Sequence, residues 1–376
     1  MSLEEIRNEI DAIDEELLSL FIRRMECSRR VAQYKYDNGL PIFNAQREEQ
    51  ILDKVESAAG DYGSSARQLY TSIIQLSRSL QHDMLGSGEN LRQHILHAQK
   101  HIPYASDDQR VICFGVPGTY AHKACRSFFP KVTPVFRPTF HEVFTALENE
   151  EADFAVIPIE NSSAGSVTDV YDLMLRYRFS IAAAISLPID HCLAVKEGTT
   201  LQSIRQIYSH EQALYQCSDY LRSRALQKEV CHSTAAAAAM VSESDRHDIA
   251  AICSEEAAEK YGLTILLRGF QNNPHNTTRF LLITKNLYIE DSADKISLCF
   301  SLPHVTGSLY HILGRLAADG LNLTKIESRP KPNTDFEYLF YLDFTGTIKD
   351  PRTLALLCAL SEEMTDFSFL GNYKSM

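Results

Sequence analysis

The groups able to do chemistry fall into two sets. In the first ninety residues Arg7, Arg24, Lys35, Arg47, Glu48, Ser77 and Gln81 supply cations, a carboxylate and an amide. Arg24 and Lys35 are eleven residues apart, about three helical turns, so both lie on one helix face. Arg7 precedes Arg24 by seventeen residues, roughly 26 Å along a helix and roughly 100° round it. It therefore shares a pocket with those residues only if they come from an antiparallel second copy. Ser77 and Gln81, four apart, share one face of a later helix. Cations concentrated in this way suit a small dianion, although charge-laced helix faces are also common as solvated surface.

The second set consists of hydroxyls and amides placed next to apolar runs. In NNPHNTTRFLLI (272–283), Thr277, Thr278 and Arg279 lead straight into a buried strand. FGVPGTYAHKA (114–124) is a glycine loop with Thr119 before a helix; it suits an anion but fits neither GxGxxG nor the P-loop. VIPIENSSAG (156–165) ends a strand in Glu160, Asn161, Ser162 and Ser163. Gln216 follows in YSHEQALYQC (208–217), and Ser233 or Thr234 offers an N-cap before a poly-alanine helix start. Each segment also serves as ordinary turn or cap chemistry.

The elements that must position these groups change period along the chain. Residues 1 to about 100 read as helices: one to Tyr36, stopped by DNGLP (37–41), a second over 45–58, and a third from 64 that GSGEN (86–90) interrupts. The first is on the order of 50 Å long and predicts packing against a second copy of itself. The histidines at 94, 97 and 101 lack a carboxylate or cysteine companion, so a solvated linker is expected over 91–108 and no metal. An α/β pattern follows over 109–290, with strands in RVICFGV, DFAVIPI, FSIAAAISL, IRQIYSH, DIAAICS and RFLLIT. Residues 293–376 read as β-α-β-β-α-β, the ferredoxin-like order.

The bulk numbers bound the function. A chain of 376 residues with 44% hydrophobic content holds two or three domains. A formal charge of −12 argues against nucleic acid or an anionic membrane as partner. The nine cysteines lie singly with no CxxC, as expected of reduced, buried thiols in a cytoplasmic protein. The acidic, amphipathic MSLEEIRNEIDAID does not read as a signal peptide.

Three resemblances give these patterns a common meaning. IRNEIDAIDEELLSLFIRR, Lys35, Pro41 with Arg47-Glu48, and Ser77xxxGln81 resemble the chorismate mutase family, an all-α, intertwined helical dimer. The resemblance implies rearrangement of chorismate to prephenate without cofactor or metal. Arg7 (from the partner) and Arg24 would clamp two carboxylates, Lys35 and Gln81 the ether oxygen, and Glu48 the ring hydroxyl. Asn44, Arg47 and Ser77 would complete binding, with Asn44 standing where related sequences carry Asp.

VIPIENSSAG, SHEQALYQC, AAEKYGL and NTTRF resemble the prephenate dehydratase family, whose fold has two α/β lobes like a periplasmic binding protein and a cleft between them. The implied reaction removes carbon dioxide and hydroxide from prephenate to give phenylpyruvate. Thr278 would hydrogen-bond the leaving hydroxyl; Thr119, Asn161, Ser162, Gln216, Ser233, Thr234 and Arg279 would bind substrate. Ala121 replaces a common hydroxyl, and Thr277 a frequent aromatic.

Gly307-Ser308-Leu309 and Glu327-Ser328-Arg329-Pro330 resemble the ACT regulatory family, with Ser308 in place of the usual Ala. The implied ligand is phenylalanine, acting as a feedback inhibitor between paired domains. Together the resemblances imply a homodimer or higher oligomer that takes chorismate and prephenate. Arogenate as the middle domain's substrate, or a phenylalanine-binding regulator without catalysis, are the alternatives.

Overall fold

A capping box starts the helical part: Glu5 N–H donates to Ser2 Oγ at 3.2 Å, and Ser2 N–H to Glu5 Oε2 at 2.6 Å. Helix α1 (Leu3–Asp37) then runs unbroken for 35 residues until Asn38 and left-handed Gly39 turn the chain. Asn44 caps α2 (Ala45–Ala58), α3 (Gly63–Leu85) ends at left-handed Gly86, and α4 (Glu89–Leu96) follows. Helix α3 packs on both α1 and α2. Only Ser28 and Ala32 of α1 are buried, while its apolar stripe of Ile6, Ile10, Ile13, Leu17 and Leu20 is exposed.

The computed structural model describes residues 2–302, 307–331 and 337–376. Part of the His-rich stretch expected as linker is helical, as the end of α4, and Ile95, Ala98 and Ile102 within it are buried. Apolar side chains three and four apart gave that segment a face to bury despite its histidines.

The α/β part begins with β1 (Val111–Phe114), α5 (Tyr120–Phe128), β2 (Val135–Arg137), α6 (Phe140–Glu148), β3 (Phe154–Asn161), β4 (Gly165–Ser166), α7 (Thr168–Tyr177) and β5 (Ser180–Pro188). A second lobe holds β6 (Cys192–Val195), β7 (Gln206–Ser209), α8 (Glu211–Gln216), α9 (Ser218–Arg224), β8 (Gln227–Val230), α10 (Thr234–Glu243), β9 (Ile249–Cys253), α11 (Glu255–Lys260) and β10 (Thr264–Arg268). The chain returns to the first sheet as β11 (Thr277–Thr284). Last come β12 (Lys295–Leu302), α12 (Ser308–Ala318), β13 (Asn322–Pro330), β14 (Tyr338–Thr345), α13 (Pro351–Glu363) and β15 (Thr365–Ser375).

Contacts divide the chain into two units, and the division cuts across chain order. One unit holds Met1–Leu96, Leu309–Gly320 and Ile348–Phe367; the other holds His97–Ser308, Leu321–Thr347 and Ser368–Met376. In the first, α13 packs on α3 and α4. In the second, one sheet runs β13-β14-β12-β15-β5-β11-β3-β1-β2, with β4 on β3, and another runs β10-β6-β9-β7-β8. The four C-terminal strands thus lie in the order 2-3-1-4, that of a βαββαβ unit.

Strand β11 is buried on both faces. Leu281 and Ile283 enter one core with Ile157, Tyr171 and Tyr341; Phe280 and Leu282 enter the other with Phe128, Phe154 and Val156. A strand covered on both sides needs a continuous apolar run, which is what FLLI supplies. The short β6 (CLAV) and β10 carry no comparable signal, and only pairing reveals them. None of the nine cysteines forms a disulfide, and Cys27 alone among them is exposed. Among the described residues no helix is long and apolar enough to cross a membrane.

Gly88 marks the seam between α4 and α13. At φ 72, a Cβ built there would stand 2.6 Å from Cys358 Cα and 2.7 Å from its carbonyl oxygen. Gly88→Ala is expected to destabilise the helical unit by about 2–3 kcal/mol, measured by chemical denaturation followed by helical circular dichroism.

Candidate active sites

In the helical unit, α1 and α3 bring Arg24 to Ser77: Nη1 donates to Oγ at 2.6 Å. Gln81, one turn on, is buried; its Nε2 donates to Ser77 O at 3.1 Å, while its Oε1 has no partner among the described residues. Lys35 donates to the carbonyl of Ile42, and Asn44 Oδ1 accepts from Arg47 N–H at 3.0 Å as the cap of α2. Arg7 and Arg47 are exposed and stand outside this group. Burial lowers the pKa of Arg24 and, with Arg78 adding to it and Glu48 opposing, that of Lys35.

Arg78 and Glu363 join the group without a sequence signal. Arg78 Nε lies 3.4 Å from Glu48 Oε1, and Arg78 Nη1 lies 3.3 Å from Glu363 Oε2. Glu363, 3% exposed, also meets His82 Nε2 at 3.1 Å and Arg315 Nη1 at 2.9 Å. Burial works against its charge, but His82, Arg315 and Arg78 outweigh it and hold its pKa at about 2. With the folded pKa depressed, its stabilising contribution is full at neutral pH and is lost as pH falls toward about 2.

In the α/β unit, antiparallel pairing of β11 with β3 sets Thr278 opposite Asn161 and Arg279 near Glu160. Asn161 Nδ2 donates to Thr278 Oγ1 and to Asn276 Oδ1, each at 2.8 Å. Its Oδ1 accepts the N–H groups of Ser163 and Ala164 at 3.0 and 2.9 Å, which fixes the amide's orientation. Thr278 is 8% exposed, and its hydroxyl proton has no acceptor among the described residues. Asn276 Nδ2 is buried without a partner among the described residues.

Two chain crossings link the lobes and tie to each other. Ile189 N–H donates to Asn276 O at 2.8 Å, Gly269 N–H to His191 O at 3.0 Å, and His191 N–H to Gln271 Oε1 at 3.2 Å. His191 Nε2 lies 2.8 Å from Gln216 Oε1. Burial lowers the His191 pKa against the opposing effects of Gln216 and Asp190, so the ring is neutral and Nε2–H is the donor. His191 Nδ1 is then a buried acceptor without a partner among the described residues. Of the remaining expected residues, Thr119 caps α5, Ser233 rather than Thr234 caps α10, and Ser162 Oγ accepts from Thr277 N–H at 2.9 Å.

Arg279, expected to take a substrate carboxylate, has two protein carboxylates as partners. Its Nε lies 3.0 Å from Glu160 Oε1 and its Nη2 2.6 Å from Asp343 Oδ2, in the interior. Two protein carboxylates already meet the cation. A cavity of about 670 Å³ lies between α5 and α11, lined by His122, Lys123, Arg126, Glu256 and Lys260, and contains none of the expected side chains.

Residues 6–82 match the family model for chorismate mutase type II, and residues 111–287 that for prephenate dehydratase. A bifunctional chorismate mutase/prephenate dehydratase of Enterobacter agglomerans is 32% identical, over 98% of this chain and 95% of its own. The chain belongs to the bifunctional chorismate mutase/prephenate dehydratase family. It carries both enzyme domains. An arogenate dehydratase/prephenate dehydratase of Arabidopsis thaliana is 38% identical over 71% of this chain and 73% of its own. The structure of a prephenate dehydratase from Arthrobacter aurescens in complex with L-Phe superposes with a TM-score of 0.64 at 30% identity, covering 70% of this chain and 89% of that one.

Within this bifunctional chain the dehydratase segment and the C-terminal strands share one ion-pair chain. Lys325 Nζ lies 3.1 Å from Glu160 Oε2 and donates to Ser166 Oγ at 2.8 Å, which donates to Glu327 Oε2 at 2.6 Å. Arg329 binds Asp172 through two hydrogen bonds of 2.6 and 2.8 Å. Ser328 and Pro330 are exposed on β13, and Gly307, at φ 86, precedes the first residue of α12, Ser308, followed by Leu309. No local pattern in the sequence marks Arg78, His191, Gln271 or Asp343, whereas Asn276 lies in the polar stretch NNPHNTTRFLLI.

Asp343 is wholly buried, and Asp343→Asn keeps its shape while removing the charge opposite Arg279. The substitution is expected to destabilise the α/β unit by about 3 kcal/mol, read from urea denaturation at neutral pH.

Proposed function

We propose that the helical unit rearranges chorismate to prephenate and the α/β unit converts prephenate to phenylpyruvate, carbon dioxide and water. The observation that carries the second step is Thr278: its oxygen is held by Asn161, while its proton has no protein acceptor among the described residues. The hydroxyl thereby stays available to donate to the oxygen that leaves with the ring's bonding pair, and aromatisation drives the loss of carbon dioxide. Hydrogen bonding to developing charge is the role assigned to it. Asn161 aims Thr278; Asn276 Nδ2 and the Gln216–His191 pair offer further polar contacts to the substrate. Thr119, Ser162, Ser233 and Thr234 line the approach, and Arg279 serves by fixing Thr278 rather than by touching substrate.

In the first step the ether C–O bond breaks as a C–C bond forms within one molecule. Arg24 binds one carboxylate and Arg7 of a second copy the other; Ser77, Asn44 and Arg47 complete the contacts. Lys35 and Gln81 stabilise charge on the ether oxygen, and Glu48 holds the ring hydroxyl. The exposed apolar stripe of α1 supports a homodimer in which the helices cover one another. The C-terminal βαββαβ segment is assigned as an ACT domain that binds phenylalanine through Gly307, Ser308, Leu309 and the Glu327–Pro330 strand and inhibits the dehydratase. The L-Phe complex of the Arthrobacter aurescens relative supports that assignment.

Arogenate is a second reading for the α/β unit, favoured by the identity to the plant relative, and the two substrates differ in an amino acid against a keto acid side chain. Direct comparison of kcat/KM for the two settles which one the enzyme prefers.

Incubation with chorismate is expected to yield prephenate and then phenylpyruvate, with the second product suppressed by phenylalanine. Lys35→Ala is expected to cut mutase kcat/KM by about 10²-fold or more and spare prephenate turnover; Thr278→Ala is expected to do the reverse. Prephenate accumulating in the wild type without phenylpyruvate would refute the dehydratase assignment. Arg7→Ala and Lys35→Ala, each inactive as a mutase, are expected to regain partial activity when mixed as heterodimers. No recovery in a verified heterodimer would rule out a site shared between copies.

A further inference from the structure

Arg78 stands on α3 one residue beyond Ser77 and is shared by carboxylates from two other helices. Glu48 of α2 lies 3.4 Å from its Nε, and Glu363 of α13 lies 3.3 Å from its Nη1. Its guanidinium also covers Phe43, 4.8 Å from the ring centroid. Glu363 in turn is held by His82 at 3.1 Å and Arg315 at 2.9 Å. A buried carboxylate held by two arginines and a histidine has little freedom to move, so it fixes the end of Arg78 that faces it. Arg78 then fixes the position of Glu48.

We propose that Arg78 is a positioning residue of the mutase step, holding Glu48 for the substrate hydroxyl, and that Glu363 of the C-terminal helix α13 anchors it. The C-terminal segment thus completes the mutase site. This inference rests on the mutase reading above. The charged groups that face Glu48 are Arg78 on α3, Glu363 on α13 and Lys35 on α1. Burial pushes the Glu48 carboxyl up; Arg78 pulls it down, Glu363 pushes it up and Lys35 pulls it down.

The two partners of Glu48's environment therefore carry opposite signs. Glu48 must be ionised to accept from the hydroxyl, so the acid limb of the mutase rate follows its pKa. Losing Arg78 moves that limb to higher pH. Losing the charge of Glu363 removes a repulsion and leaves Arg78 to Glu48 alone, which moves the limb to lower pH. Damage to packing alone has no reason to split in this way.

The test uses the full-length protein, steady-state chorismate consumption across the acid and neutral range, and prephenate turnover as the control for an intact fold. Arg78→Gln is expected to raise the chorismate KM roughly tenfold with a smaller change in kcat. Its acid limb is expected to rise by about one pH unit, and Arg78→Lys, which keeps the charge, to restore most of that shift. Glu363→Gln is expected to lower the limb. If that variant does not fold, Glu363→Asp, which keeps the charge but shortens its reach, is expected to raise KM with the limb in place. An Arg78→Gln enzyme with unchanged KM and acid limb would overturn the inference, as would limbs that move the same way in Arg78→Gln and Glu363→Gln. Absence of chorismate turnover in the wild type would instead remove the mutase reading, and the inference with it.

Discussion

Arg279 carries its charge inside the α/β unit, and that requirement organises much around it. Burial disfavours the guanidinium, yet Asp343 and Glu160 outweigh the penalty and keep it firmly protonated. Breaking either pairing would strand a charge in a place where water does not reach, so the strands that supply the partners are tied together. Arg279 and Glu160 fix the start of β11 against the end of β3, and Asp343 brings β14 to the same point. Thr278, one residue before Arg279, inherits its position from this arrangement and lies against Asn161. A buried ion pair of this kind adds less to net stability than to the choice of one geometry, and geometry is what a hydroxyl donor requires.

The helical unit uses the same device with different residues. Glu363 sits among Arg78, His82 and Arg315 much as Arg279 sits between Glu160 and Asp343. In each unit the C-terminal segment contributes a buried carboxylate, Asp343 to one and Glu363 to the other. Such a carboxylate gives the C-terminal segment a direct physical hold on side chains next to both candidate sites. From β13, Lys325 and Glu327 add a second hold through Glu160 and Ser166. A ligand that shifted β13 or its neighbours would act on groups one step from Thr278, without a long relay.

The two candidate sites share a style of chemistry. Both present donors and acceptors that have no protein partners among the described residues, among them Gln81 Oε1, Asn276 Nδ2 and His191 Nδ1. Buried polar atoms in that state favour a polar ligand, because each contact relieves a desolvation cost already incurred. Reactions that only redistribute charge within one substrate need little more than such preorganised dipoles and cations.

Local pattern decided a good deal. The helix bounds of α2, the stop of α1 after Asp37, the apolar strand Phe280–Ile283 and the βαββαβ order follow from periodicity, caps and turn residues within a few positions of each other. Thr278, Asn161 and Gln216 were legible as candidates for the same reason, since each lies in a short stretch whose composition is unusual for its element. Arg279 was legible as important but not as buried, because whether a cation faces substrate or carboxylate depends on what packs above it. Asp343, Glu363, Arg78 and His191 were invisible: their partners are dozens to hundreds of residues away in the chain, and an isolated charge in a helix or strand looks like surface. Pairing across such distances exists only once the chain has folded, and it is there that the tertiary structure, rather than the sequence read along its length, determined which charges hold the sites.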